Sequence, residues 1–220
     1  MTYHTGLLIC DLSGYSAMTE AHGPQSAAGL IRRFLKIIDG SISGNTRLIE
    51  RVGDEVVLAS QNIDDLIKTA INIQHLAEVE PGFLSVHIGI HFGEIYEDAG
   101  HLYGSALNIT ARIVSCATGG QILCSASAKE KIKDLSDFRI ESLGPKKFKN
   151  IRHAIHLYKI MNKATAQEKF RDPVCHMKIS VTENSIKLQY RQNDYFFCSM
   201  DCLSKFASEP EQYLSDNQKA

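Results

Sequence analysis

The sequence has no apolar run approaching the roughly 20 residues that a bilayer-spanning helix needs, and so offers no membrane helix. It has no charge excess either. Its 24 basic and 25 acidic side chains leave a net charge of −1. Nothing long-ranged therefore draws it to nucleic acid or an anionic membrane, and neither is expected as a partner. Residues 1–11 lack the basic start, long apolar stretch and small-residue cleavage site of a secretory signal. The expected location is the cytoplasm, where thiols stay reduced and the six cysteines need not pair. No internal repeat or low-complexity tract is visible. What the chain does have is 44% apolar residues over 220 positions. That is enough for a buried core of ordinary domain size plus a compact appendage. Cys10, Cys116 and Cys124 are scattered, whereas Cys175, Cys198 and Cys202 crowd the last quarter.

Leu7, Leu8 and Ile9 are consecutive apolar residues ending at Cys10-Asp11, the pattern of a buried strand. Apolar residues recur at helical spacing over 24–41, with Pro24 as the helix start. Two strands, 48–52 and 56–59, flank Gly53-Asp54 as a tight hairpin. A helix follows over 64–77, with Asp64 suited to cap it. In 85–94, Val86, Ile88, Ile90 and Phe92 alternate with Ser85, His87, Gly89 and His91, a strand with one buried face. On that reading His87 and His91 face solvent or a subunit interface. Helices are expected over 105–116 and 126–135, and strands over 121–124, 138–143 and 153–160. Without a strict parallel repeat, the pattern predicts an α+β sheet with helices on one face. The polar stretch 162–170 reads as a linker between a domain at 1–161 and a module at 171–215.

Asp11 and Asp54 stand at two strand ends. Carboxylates so placed can share a pair of divalent cations that polarise a triphosphate. Each aspartate is equally suited to making a turn. The surroundings discriminate. Asp11-Leu12-Ser13-Gly14-Tyr15-Ser16, then Arg51-Val52-Gly53-Asp54-Glu55-Val56, then Leu102-Tyr103-Gly104 with Asn108-Ile109-Thr110-Ala111-Arg112 resemble class III nucleotidyl cyclases in order and approximate spacing. The resemblance covers about residues 7–160. It implies a ferredoxin-like α+β core that pairs head to tail as a homodimer, with active sites at the interface.

Further roles follow from the resemblance. Asp11 and Asp54, helped by the Leu12 carbonyl, would hold two Mg²⁺ or Mn²⁺ ions. Arg112 would stabilise charge on the α-phosphoryl group of a nucleoside triphosphate, and Asn108 would orient the ribose, both supplied by the partner subunit. Lys149, with Lys147 close behind, would hold the terminal phosphates; a solvated basic turn is the alternative. Glu50 and His101 occupy the base-reading positions, where adenylyl cyclases carry lysine and aspartate. A carboxylate at Glu50 accepts from guanine's N1 and N2 donors and repels adenine's acceptor edge. The reading takes ATP, with GTP as the alternative.

Asp172-Pro173-Val174-Cys175-His176, then Phe197-Cys198 and Cys202, then Phe206 and Pro210 resemble a YHS-type metal-binding module, a small cysteine-bearing α/β unit. Cys198 and Cys202 are one turn apart on any helix, and Cys175 completes a three-thiolate set for Zn²⁺ or Cu⁺. His176 is an additional candidate, awkwardly adjacent to Cys175. The other reading packs the thiols as small apolar groups and lets docking on the larger domain supply the missing core. Two functions remain open: an active cyclase, and a weak or inactive cyclase-fold regulator that senses nucleotide or metal. A metal chaperone would rest on the cysteines alone.

Overall fold

The computed structural model describes residues 1–134, 138–162, 170–182 and 185–216. Its larger part is built on one eight-stranded sheet. Strand β1 (Thr2–Leu12) is followed by helix α1 (Tyr15–Ser41), hairpin β2 (Arg47–Val52) and β3 (Glu55–Ser60), and helix α2 (Ile63–Val79). Next come β4 (Val86–Asp98), β5 (His101–Tyr103), α3 (Ser105–Val114), β6 (Ile122–Ser125), α4 (Ala126–Lys129), β7 (Phe138–Lys146) and β8 (Ile155–Asn162). The sheet order is β2-β3-β1-β4-β6-β8-β7, with β5 folded onto β4, and among the described residues only β4 and β6 pair in parallel.

Helices cover both faces of this sheet, not the one face the pattern suggested. Leu8 and Cys10 of β1 pack in the core with α1 and α2. Leu7 and Ile9 of the same strand pack with α3 through Ala106 and Val114. A strand sandwiched this way has no use for alternation, which is why its apolar run is continuous.

Helix α1 begins at Tyr15, not at Pro24. It breaks at Gly23 (φ 79°, ψ 170°), and Pro24 opens its second segment, where the missing N–H costs nothing. Asn62, not Asp64, caps α2 by accepting the Asp64 N–H at 3.2 Å. Asp64 instead accepts the backbone N–H of Lys133 at 3.0 Å, drawing the chain out of α4 after a single turn. The helix expected over 126–135 is thereby cut short.

The linker expected at 162–170 lies, over 163–169, outside the described residues. The module beyond it holds hairpins β9 (Phe170–Arg171) with β10 (Lys178–Ile179) and β11 (Ile186–Tyr190) with β12 (Asn193–Phe197), then α5 (Met200–Ser208) and α6 (Pro210–Asp216). Phe206 is fully buried at its centre, ringed by Tyr190, Tyr195, Phe197 and Tyr213. So small a unit buries little surface by itself. Here Val174, Cys175, Phe197, Cys202 and Phe206 join the same core cluster as Phe34, Ile73 and Phe83 of the larger part. Buried Lys178 ties the seam: its N–H donates to the Phe83 carbonyl at 3.1 Å and its ammonium reaches Glu78 at 3.2 Å. Among the described residues no helix is long and apolar enough to cross a membrane.

Candidate active site and metal centre

Register brings Asp11 and Asp54 together. Cys10 pairs with Val56 across β1 and β3, so the Gly53-Asp54 tip lies beside the end of β1. Gly53 (φ 63°) supplies the left-handed residue this tip requires. On the other side Asp11 pairs with His87 of β4. Asp11 Oδ1 accepts the Leu12 N–H at 3.0 Å, and Oδ2 lies 3.5 Å from His87 Nε2, while His87 Nδ1 meets Ser13 Oγ at 3.0 Å. These groups line a cavity of about 670 Å³ that also includes Gly14, Ser85, Arg171 and His176. That size suits a small ligand.

The two carboxyls are in hydrogen-bonding contact, and their affinities for protons move apart. Burial, then the hydrogen bond with Asp11 and the charge of Asp11, push Asp54 up to about 7. Burial also acts to raise Asp11, but hydrogen bonds from His87 and Asp54 outweigh it and hold that carboxyl below its ordinary value. Two half-buried carboxylates in contact repel one another when both are ionised, and a divalent cation between them would relieve that repulsion. The donor set is hard oxygen, matching Mg²⁺ or Mn²⁺. Ser85 Oγ is buried in the same cavity without a hydrogen-bond partner among the described residues. It is a polar group waiting for a ligand atom.

The remaining expected residues lie elsewhere. Ala106, Thr110, Ile113 and Val114 bury one face of α3 against the sheet. Asn108 and Arg112, one turn apart, stand exposed on the other face, and neither lines the Asp11–Asp54 cavity. Glu50 on β2 and His101 on β5 are exposed on strands that approach one another. Lys147 and Lys149 are exposed in the turn between β7 and β8. One chain thus carries two separate sets of the groups expected to act together.

The two strand histidines do not face solvent. His87 joins Asp11, as above. His91 is buried, with Nδ1 2.8 Å from Ser125 Oγ and 3.2 Å from Ser127 Oγ, and burial lowers its pKa to about 4. Their face of β4 lies under α3, so tightly that a Cβ on Gly89 would come 2.5 Å from the Val114 nitrogen.

The three module cysteines converge and gain a fourth partner that their spacing did not reveal. Cys175 and Cys198 sulfurs are 3.5 Å apart, and Cys198 and Cys202 sulfurs 3.7 Å apart. His22, the last residue of the first segment of α1, places Nε2 at 3.5 Å from Cys198 and 3.7 Å from Cys202. All four ligand atoms lie within 4.8 Å of one another. Hydrogen bonds from Cys175 and then Cys198 lower the Cys202 thiol, while Cys175 itself is raised. His176, the other candidate, turns to Gly14 and the cavity.

Residues 2–162 match the family described as the adenylate and guanylate cyclase catalytic domain. The chain belongs to this family. Residues 170–217 match the YHS domain. The cyclase part is 23% identical to a pH-sensitive adenylate cyclase of Mycobacterium tuberculosis over 70% of this chain and 40% of that protein. The matched region spans about a third of the length of the first curated relatives it matches. In fold, the cyclase domain is similar to an adenylate/guanylate cyclase/hydrolase from Silicibacter pomeroyi (TM-score 0.62, 22% identity, 74% of this chain, 99% of that one). It is also similar to the non-canonical dimeric guanylyl cyclase domain of the RhoGC fusion protein from the aquatic fungus Blastocladiella emersonii (TM-score 0.65, 15% identity, 74% of this chain, 98% of that one). The mixed α+β architecture is that of class III cyclase cores.

Proposed function

We propose that this chain cyclises ATP, with GTP as the alternative substrate, to the 3′,5′-cyclic nucleotide and pyrophosphate at the interface of a homodimer. The observation that carries this reading is the hydrogen-bonding contact between Asp11 and Asp54, in a cavity lined also by Ser85, whose hydroxyl has no partner among the described residues. Two Mg²⁺ or Mn²⁺ ions bound there would neutralise triphosphate charge and lower the barrier to ionising the attacking 3′-hydroxyl. The residues of the chain do the rest. Asp11, oriented by His87, and Asp54 hold the metal-binding edge, and the Leu12 carbonyl adds an oxygen. The 3′-oxygen attacks the α-phosphorus and gives up its proton to water, and the bond to the β-phosphate oxygen breaks.

Asn108 and Arg112 act from the second copy, which gives their exposure a purpose. Arg112 meets charge developing on the α-phosphoryl oxygens and Asn108 orients the ribose. Lys149, with Lys147 near it, binds the terminal phosphates. Glu50 and His101, on strands that approach one another, read the base. Exposed Leu48 and Val52 lie on the same strand as Glu50, and exposed Tyr103 on the same strand as His101 with Tyr96 opposite it on β4, apolar groups suited to a subunit interface. The chain is read as cytoplasmic, with domain limits of 1–161 and 171–215. One observation favours a weak or inactive regulator instead: Glu50 and His101 form an irregular base-reading pair. Incubation of the purified protein with Mn²⁺ and either ATP or GTP, with cyclic product and pyrophosphate measured, tests the reading. Product lost in Asp54→Ala supports it. No product from either nucleotide overturns it.

A further inference from the structure

We propose that His22 of the cyclase domain joins Cys175, Cys198 and Cys202 in one tetrahedral zinc site, and that filling it clamps the C-terminal module onto the rim of the Asp11–Asp54 cavity. The distances are those a tetrahedron demands. With Zn–S near 2.3 Å and Zn–N near 2.05 Å, ligand atoms stand about 3.8 Å apart for sulfur pairs and about 3.5 Å for sulfur and nitrogen. Cys198 stands 3.5 and 3.7 Å from the other two sulfurs, His22 Nε2 stands 3.5 and 3.7 Å from Cys198 and Cys202, and the two remaining pairs lie within 4.8 Å. A disulfide needs about 2.05 Å and leaves the third thiol and the imidazole without a role.

The groups behind the ligands are already in place. Asp172 is fully buried; its Oδ1 accepts the N–H of Val174 at 2.8 Å and of Cys175 at 3.3 Å, and its Oδ2 accepts the Cys198 N–H at 2.8 Å. One carboxylate thereby fixes both cysteine-bearing loops, the outer-shell role that orients metal ligands. Ser199 accepts the Cys202 N–H at 3.2 Å and sets the third sulfur at the start of α5. The break at Gly23 gains a reason as well. It frees the segment Tyr15 to His22 from the rest of α1, so that the imidazole is aimed at the thiols and not along the helix.

The site is bonded to the cavity from two directions. His22 ends the short helical segment that starts directly after Asp11 to Gly14. Cys175 precedes His176, whose backbone holds φ 61° and whose side chain lies against Gly14 so closely that a Cβ there would meet it at 2.8 Å. Arg171, next to Asp172, whose N–H donates to the Met177 carbonyl and closes the loop, lines the same cavity. An ion at the four ligands therefore fixes His176 and the guanidinium of Arg171 beside the carboxylates. Without it, the seam rests on the shared core and the Lys178 contacts alone. The effect on the cyclase, tighter triphosphate binding when zinc is present, rests on the proposed reaction. The metal and the clamp do not.

The test uses the full chain, purified under reducing conditions, stripped of metal and titrated with Zn²⁺ and with Co²⁺. One ion per chain is expected, with the intense visible bands of tetrahedral thiolate-bound Co²⁺. His22→Ala should lower zinc affinity more than about 100-fold, the upper range for losing even an outer-shell partner. His22→Cys should restore both affinity and bands. Amide hydrogen exchange should slow on zinc addition in 14–22 and 171–178 of the wild type, and not in His22→Ala. Wild-type affinity in a folded His22→Ala, failure of His22→Cys to recover binding, or unchanged exchange in both segments overturns the proposal. None of these readouts needs cyclic-nucleotide production, so an inactive enzyme leaves the proposal standing or falling by itself.

Discussion

Replacing Asp54 with asparagine removes half of the metal-binding pair and should make the metal-free protein more stable. The native carboxyl is pushed from 3.8 to about 7 by burial and by Asp11. The folded state therefore binds more protons than the unfolded chain between about pH 4 and pH 7. Wild-type stability falls as pH rises through that window, and the deficit is complete above it. At about 1.4 kcal/mol per pH unit the displacement corresponds to roughly 4 kcal/mol. The side chain is only half-buried, and solvent screening reduces this to about 1–2 kcal/mol. Asparagine carries no charge and its amide can donate to Asp11. Asp54→Asn should melt about 2–8 °C above wild type at pH 8, with the gap shrinking toward pH 5. Mn²⁺ at about 100 times its Kd adds roughly 2.7 kcal/mol to a protein that binds it. It should reverse the order, because only the wild type retains both carboxylates. Differential scanning calorimetry at the two pH values, with and without Mn²⁺, reads all four numbers. If metal-free Asp54→Asn is less stable than wild type at pH 8, or if Mn²⁺ stabilises both equally, the shared-cation reasoning is wrong.

Three other outcomes are expected. Arg112→Ala should lower kcat by about 10²–10³, the scale of one lost donor to transition-state charge; mixing it with inactive Asp54→Ala should recover about a quarter of wild-type activity, because random pairing makes half the dimers mixed and each mixed dimer has one intact site. Glu50→Lys should raise the ATP-to-GTP ratio of kcat/KM by about tenfold or more, as a carboxylate that repels adenine's acceptor edge is replaced by a donor; an unchanged ratio removes Glu50 from base reading. His91, with its folded pKa near 4 against 6.5, leaves the unfolded state the better proton binder between those values. Stability is then full above about pH 6.5 and falls by about 3 kcal/mol on acidification toward pH 4, a slope that His91→Gln should lose in denaturant titrations across this range.

Much of the cyclase domain is legible in the sequence because its signals are local. The Leu7–Cys10 run, the Gly53-Asp54 turn and the Asn108–Arg112 helical spacing each lie within a few residues, and each forms the element expected. The run at Leu7 also carried information that alternation elsewhere obscured: a strand apolar at successive positions needs cover on both faces, and α3 supplies the second. His91 is buried where alternation points it to solvent, because α3 folds back over that face of β4 and its docking against Gly89 leaves no periodic trace. His22 was invisible for a similar reason. Its ligand partners lie more than 150 positions away, and the one local hint is the Gly23-Pro24 break that follows it.

The two metal chemistries need not compete, although fewer than a dozen residues separate Asp11 from His22. Asp11, Asp54 and the Leu12 carbonyl are hard oxygen donors at an open cavity, where a small, strongly hydrated cation keeps room for water and phosphate. Cys175, Cys198, Cys202 and His22 are thiolate and imidazole donors that would fill all four positions of a tetrahedral ion and leave none for a substrate. An ion drawn to one set is poorly matched to the other. The segment from Tyr15 to His22 joins them mechanically while ligand type keeps them chemically apart. A change in zinc supply can thus alter how firmly His176 and Arg171 sit at the cavity without placing zinc at the carboxylates. That separation holds only while the thiols are reduced: oxidation of any pair among the three removes two soft ligands at once and releases the clamp, leaving Asp11 and Asp54 unchanged.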